Sequence, residues 1–430
     1  DVVEWAWWNS SWSYKRQINI TEQSGNDLTN YQVMLSINTT ELYNEGKIRS
    51  DCGDIRFVDS TETIELPYWI EVCDVTGGNS TIWVKVNLSA SSTTTIYMYY
   101  GNSDATTTAN GTAVFDFFDD FEGTSLDTSK WTQTGGTAQV SNSILSFTSG
   151  EGTWYKIYSN TEFTYPNILK SLFKIDDANP GTAGHGKHLG FEDASTDDKA
   201  VFVWHSGDGA YKTQTTNGES NNEQTLSVSL ADWSVGEIFW NTSYTEFWVN
   251  GTPRNNHTAV STLPNEPISV LFTTAGDGYI YVDWVLVRQY ANPEPTYSIG
   301  SEEIRNLPPE INFTSPSNTT YYTLAIPINV SITDDSSTEF YVKIQADGTT
   351  IYENSSYENG TLISMTHNFT SGGQHYIYVF ANDTDATSPK TSEETVYFYI
   401  FMGLNASAYW AADNSELASW GIKVENDTTS

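Results

Sequence analysis

Apolar and polar residues alternate in short runs through most of the chain. The first are residues 15–20 (KRQINI), 31–37 (YQVMLSI), 54–58 (DIRFV), 67–72 (PYWIEV), 81–86 (TIWVKV) and 95–100 (TIYMYY). A period of two puts successive side chains on opposite faces of a strand, so these runs predict an antiparallel sandwich over residues 1–112. Residues 310–402 repeat the pattern in INFTSP, IPINVSITDD, EFYVKIQADGTTIY, QHYIYVFANDTD and ETVYFYI, with Asp347-Gly348 as a hairpin turn. Between them lies a larger unit that opens on 114–131 (VFDFFDDFEGTSLDTSKW) and closes on 278–288 (GYIYVDWVLVR). The Pro-containing stretch 302–309 reads as a linker. The chain of 430 residues is therefore expected to be all-β, with serial units at 1–112, 113–303 and 304–402. Residues 403–430 are too short for a domain, although 420–424 (WGIKV) could form a strand.

Two units resemble known families. WSYKRQINI, YQVMLSI, DIRFVDS, ELPYWIE, TIWVKV and TIYMYYGN occur in the order of the DUF2341 family, a module of large exported archaeal and bacterial proteins. That resemblance implies an exported surface protein, here taken as archaeal, and supplies no reaction. DDFEGTSLDTSKW, VDWVLVR and GEIFWNTSYTEFWVN followed by Gly251 resemble the concanavalin A-like lectin and glucanase superfamily. This implies a jelly roll whose terminal strands lie side by side. The regular strands of 304–402 suggest an immunoglobulin-like sandwich. The fold class expected is three serial β-sandwiches with an incomplete C-terminal segment.

Charge narrows the partners. Only 19 lysines and arginines stand against 54 acids, a formal net charge of -35. Nucleic acid and anionic membranes would be repelled. No apolar run is long enough to cross a bilayer, so direct membrane insertion is not expected in this stretch. The chain opens on Asp1 without a basic, apolar leader, as in a processed or excerpted polypeptide.

Compartment follows from sequons. Asn-X-Ser/Thr triplets begin at Asn9, Asn19, Asn38, Asn79, Asn87, Asn110, Asn241, Asn250, Asn256, Asn312, Asn318, Asn329, Asn354, Asn359, Asn368, Asn382, Asn405 and Asn426. This is roughly twice the chance number for such a composition, which predicts N-linked glycans on an extracellular surface. Cys52 and Cys73 are the only cysteines. An exported chain would pair them, closing a loop worth about 3 kcal/mol; two buried free thiols are the alternative.

Candidate chemistry is sparse. Retaining glycosidases hold two carboxyls about 5 Å apart, placed by the superfamily's glucanases on one strand as Glu-X-Asp-X-X-Glu. No such pattern occurs, and neither does Gly-X-Ser-X-Gly. Glu192, Asp193, Asp197 and Asp198, in FEDASTDDK, read as solvated loop acids. His185 and His188 could ligate a metal, but a Gly-rich loop offers no fixed geometry. The superfamily resemblance makes calcium the better candidate, with Asp119, Asp120, Glu122 and Asp283 as carboxylate ligands. The competing reading turns those acids outward while Phe115, Phe117, Phe118, Phe121 and Trp284 enter the core. For a glycan, the same resemblance points to Trp154, Tyr155, Trp204, His205, Asp208 and Trp240 on a concave face or its rim. Trp5, Trp7, Trp8 and Trp12 read as an N-terminal strand packed on the first sandwich, or as a sugar- or partner-binding arm.

Three functions remain. The leading expectation is a non-enzymatic, N-glycosylated surface protein that binds glycans or neighbouring surface proteins. The second is a subunit of an extracellular filament, sheath or surface layer, self-assembling through residues 404–430 or the tryptophan-rich N-terminus. In that case the tail completes a neighbour's sheet; otherwise the native chain continues beyond Ser430. A glycoside hydrolase is the minor alternative.

Overall fold

The computed structural model describes residues 7–176, 186–193, 195–196, 198–207, 209–334, 337–383 and 389–402. Trp5, His185, Asp197, Asp208, Asn405, Asn426 and the segment 404–430 lie outside them. The chain divides into two compact units, one spanning Ala6–Glu303 and one holding the residues from Ile304 on.

Six strands match the six N-terminal runs: Tyr14–Thr21, Leu28–Ile37, Arg56–Asp59, Tyr68–Val72, Ser80–Leu88 and Thr93–Tyr100. They form two facing sheets, and alternate residues such as Ile18, Ile20, Val33, Leu35, Ile82, Val84, Ile96 and Met98 fill the space between. The Cys52–Cys73 disulfide sits in this sandwich. Trp7, Trp8 and Trp12 pack on its flank without forming a strand; Trp12 Nε1 donates to Asp54 O, and Trp7 lies edge-on to Tyr99.

The expected boundary at residue 303 is corrected by one strand. Thr296–Ile304 lies beside Tyr14–Thr21 in the first sandwich's four-stranded sheet. Tyr297, Ile299 and Ala291 pack into the first core, Tyr297 Oη bonds the amide of Ser36, and Glu302 accepts from Lys47 and Tyr100. The larger unit is thus inserted into the first sandwich. Only residues 305–309 of the expected linker are free of strand.

The inserted unit is a jelly roll of an eight-stranded and a seven-stranded sheet. Phe117–Asp119 pairs antiparallel with Ile280–Gln289, Val285 opposite Asp119, as the terminal-strand expectation requires. The aromatic residues of the opening stretch divide between two places. Phe117 and Phe121 join the jelly-roll core around Trp131 and Phe272. Phe115, Phe118 and Trp284 instead face out of it and pack with Trp69 and Trp83 of the first sandwich, the rings of Trp69 and Trp284 being 5.4 Å apart. Strand alternation requires this split, because Phe117 and Phe118 are neighbours and must point to opposite faces. Lys170 bridges the same junction to Glu71 at 2.8 Å. Part of the outer face of the eight-stranded sheet is thereby packed against the first sandwich.

In the second unit, Glu310–Ser315, Ala325–Thr333 and Leu362–Asn368 form a three-stranded sheet. It faces a five-stranded sheet built on Gly373–Asp383 and Thr391–Ile400 across a core of Ile328, Val330, Val342, Ile377 and Val379. Asp347 and Gly348, with φ of 47° and 80°, make the expected hairpin turn between Glu339–Ala346 and Thr349–Glu358.

Candidate functional site

The seven-stranded sheet keeps its outer face uncovered by the first sandwich, and its central strand, Gly186–Glu192 (GKHLGFE), sets the site. Leu189 and Phe191 enter the core. Alternation sends Gly186, His188 and Glu192 to the other face. There His188 Nδ1 lies 2.9 Å from Glu192 Oε2. Glu192 is directly opposite Lys199, and Lys156 Nζ stands 3.4 Å from its other oxygen. Burial alone would push the Glu192 carboxyl up, but the charges of His188, Lys199 and Lys156 outweigh it and hold the group below its ordinary range. The expectation that Glu192 is a solvated loop acid is therefore wrong: it ends a strand and is 2 % exposed. Asp198 is also buried, accepting from the amide of Gly218; Asp193 bonds the amides of Ser195 and Thr196 in the turn between strands.

A second ionic group continues along the face. His205, opposite Gly186, approaches Glu223 at 3.5 Å, and Lys212 bonds Glu223 at 3.0 Å. The rings of His188 and His205 are 6.3 Å apart. Above them lies Trp154, its ring 5.3 Å from that of His188 and 44 % exposed. The missing side chain of Gly186 makes the room: a Cβ there would stand 2.7 Å from the Trp154 ring. An exposed indole edge beside a row of hydrogen-bonding and charged groups can stack on a sugar ring while binding its hydroxyls.

Of the described glycan candidates, only Trp154 and His205 reach this face. Tyr155 turns inward onto the jelly-roll core, as its neighbour Trp154 turns outward. Trp204 and Trp240 are core residues, 3 % and 0 % exposed, with Trp240 Nε1 bonded to Pro264 O. His188 was read only as a metal candidate in a loop, and Lys156, Lys199, Lys212 and Glu223 were missed. The H-X-G-X-E spacing of 188–192 could have marked His188 and Glu192 as sharing a strand face, because it repeats with the period of that face.

The proposed calcium ligands do not converge. Asp119 is buried and accepts from Trp131 Nε1, the amide of Phe121 and Lys130, while Glu122 bonds Ser143 Oγ. Among the described residues no group of three or more His, Cys, Asp or Glu could hold a metal ion. Asp120 and Asp283 remain near one another, each carboxyl raised by burial, and Asp283 further raised by the charge of Asp120.

Comparison with known proteins agrees with the first of the two resemblances. The family described as a domain of unknown function, DUF2341, matches residues 51–134, which run from the first sandwich into the opening strands of the jelly roll. No curated protein matches the chain. Similar solved structures include a β-1,3-glucanase from Mycobacterium marinum, at 18% identity over 40% of this chain and 98% of that one, TM-score 0.32. A glycosyl hydrolase family 16 protein from Mycobacterium smegmatis aligns at 17% identity over 40% and 99%, TM-score 0.34. The β-glucanase of Bacillus licheniformis aligns at 13% over 40% and 97%, TM-score 0.32.

Proposed function

We propose that this chain is an extracellular, N-glycosylated surface protein that binds carbohydrate on the outer face of the seven-stranded sheet and does not cleave it. The observation that carries the reading is Trp154, held exposed over Gly186 beside the His188–Glu192 pair. An extracellular site of action is supported by the Cys52–Cys73 disulfide and by the sequons, since none of their described asparagines is buried. The sandwich following residue 309 is read as an immunoglobulin-like spacer.

Two features favour binding over cleavage. A general acid for glycoside hydrolysis needs a raised pKa, whereas Glu192 is held ionised by three cations. Glu192 and Glu223 are moreover separated by two imidazoles, His188 and His205, so they do not form the close pair of a retaining site.

A glycan array probed with the whole chain tests the reading. Binding is expected, and Trp154→Ala should weaken it about tenfold, the order of one exposed stacking contact, with no change in Tm. Absence of any bound glycan would overturn the proposal. Release of new reducing ends from a bound polysaccharide would overturn its non-enzymatic part.

A further inference from the structure

We infer that the second unit carries a binding face of its own, on the outer side of its five-stranded sheet, for a neutral polysaccharide. It is independent of the jelly-roll face described above. Strand alternation lines this face with rings. On Gly373–Asp383, His375, Ile377, Val379 and Ala381 are buried, so Tyr376, Tyr378 and Phe380 turn outward. On Thr391–Ile400, Phe398 and Ile400 enter the core while Tyr397 and Tyr399 turn outward, both exposed. Tyr341 turns outward between the core residues Phe340 and Val342. The register sets these six in one diagonal row. Tyr399 stands opposite Gln374 and Tyr397 opposite Tyr376; Tyr378 and Phe380 follow, and Tyr341 stands opposite Asn382. The rings of Tyr376 and Tyr397 are 5.8 Å apart, and those of Tyr341 and Phe380 are 5.9 Å apart.

The dimensions fit a single polymer chain. Phe401, packed on Tyr322, prolongs the row past Tyr399. A rectangle enclosing the whole row measures about 34 by 14 Å, roughly 500 Å², below the ~800 Å² that each side of a stable protein interface buries. Charge points the same way. Phe380 lies between Lys343 and Glu393 on the flanking strands, and Tyr341 Oη donates to Glu353 at 2.7 Å. A protein partner would have to bury those charges in the middle of the contact. Sugar hydroxyls instead hydrogen-bond them, while the pyranose ring stacks on tyrosine. Lys343 is set against Glu353 and Glu393, so the row offers an acidic chain no cationic surplus, and the net charge of -35 repels one. The sequons Asn312 and Asn329 alternate with the core-facing Ile311, Phe313, Ile328 and Val330 and so turn to the opposite face of the sandwich. Asn382 lies at the far end of the row, about 20 Å along the strand from Tyr376, so a glycan there leaves Tyr376, Tyr397 and Tyr399 open.

Affinity electrophoresis of the whole chain in laminarin, hydroxyethylcellulose and galactomannan tests this, with polygalacturonate as the charged control. At least one neutral polymer is expected to be bound, independently of salt, and polygalacturonate is not. Tyr397→Ala combined with Tyr399→Ala should weaken that binding about tenfold, at unchanged Tm, both in the wild type and in Trp154→Ala. Tyr43→Ala, at an exposed tyrosine of the first sandwich, should change nothing. Loss confined to Trp154→Ala, with the double tyrosine variant binding like the wild type, would overturn this inference and leave the jelly-roll site intact. The reverse result would overturn the jelly-roll site alone. A dimer in sedimentation that the tyrosine substitutions dissociate would assign the face to a second copy of the chain instead. No retention by any neutral polymer, or tighter retention by polygalacturonate, would overturn the neutral ligand.

Discussion

Asp283 shows how a single acid can be placed at a cost. Burial and the charge of Asp120 raise its carboxyl above the ordinary range, so the folded state resists its ionisation. Stability is then lost as pH rises from the unfolded aspartate value through the raised folded one, and it is recovered below both. Asp283→Asn is expected to stabilise the protein at pH 7 by roughly 0.5 kcal/mol, the order of a repulsive pair on a sheet. The gain should vanish near about pH 3, where both forms are neutral. Thermal melts at the two pH values check this, and added calcium is expected to leave both proteins unchanged. A calcium-dependent rise confined to the wild type would restore the metal site. Asn359 gives a second prediction at this scale. Its Nδ2 donates to Asp334 O at 2.7 Å and to Ser337 O at 2.9 Å, and a glycan would replace one of those N–H groups. Glycopeptide mass spectrometry should find Asn359 unoccupied while exposed Asn250 and Asn368 carry glycan. Glu192 marks the limit of reading residues singly: FEDASTDDK has the composition of a turn, yet its second residue closes a strand and meets His188 of the same strand and Lys156 and Lys199 of two others.

At the scale of elements, alternation located all six N-terminal strands and both terminal strands of the jelly roll, because a half-buried strand writes its two faces into every second residue. It did not reveal what each strand pairs with. Thr296–Ile304 follows the jelly roll in sequence but completes a sheet whose other strands lie before residue 101. Placing a charge on its inner side, Ile299→Asp, should destabilise the Ala6–Glu303 unit by about 3 kcal/mol in urea unfolding followed by tryptophan fluorescence. A linker residue there would move stability by less than about 0.5 kcal/mol. The same ambiguity affected the site: Trp154 and Tyr155 were equally plausible by composition, and only the strand's phase assigns one to the open face and the other to the core.

For the unit as a whole, the first sandwich and the jelly roll behave as one body through the aromatic junction. Trp69 meets Phe115, Phe118 and Trp284 at ring separations of 5.6, 5.0 and 5.4 Å. Trp69→Ala is expected to cost about 3 kcal/mol and to split one calorimetric transition of this unit into two. A variant that melts in one transition at the wild-type Tm would show that the junction contributes nothing. By itself the sequence determined the all-β class, the positions of most strands, the pairing of the jelly roll's ends and the Asp347-Gly348 turn. The class, the strands and the turn are dictated by periodicities and contacts within a few residues of chain, whereas the pairing of the ends was implied by the superfamily resemblance. Tertiary structure alone decided that the jelly roll is an insertion, that Phe115, Phe118 and Trp284 serve a junction, and that the first sandwich packs on the eight-stranded sheet. It also gathered Lys156, His188, Glu192, Lys199, His205, Lys212 and Glu223 from five strands onto one face of the seven-stranded sheet. The reason is physical: which strands become neighbours depends on the summed burial of whole faces, a quantity that no local stretch of residues contains.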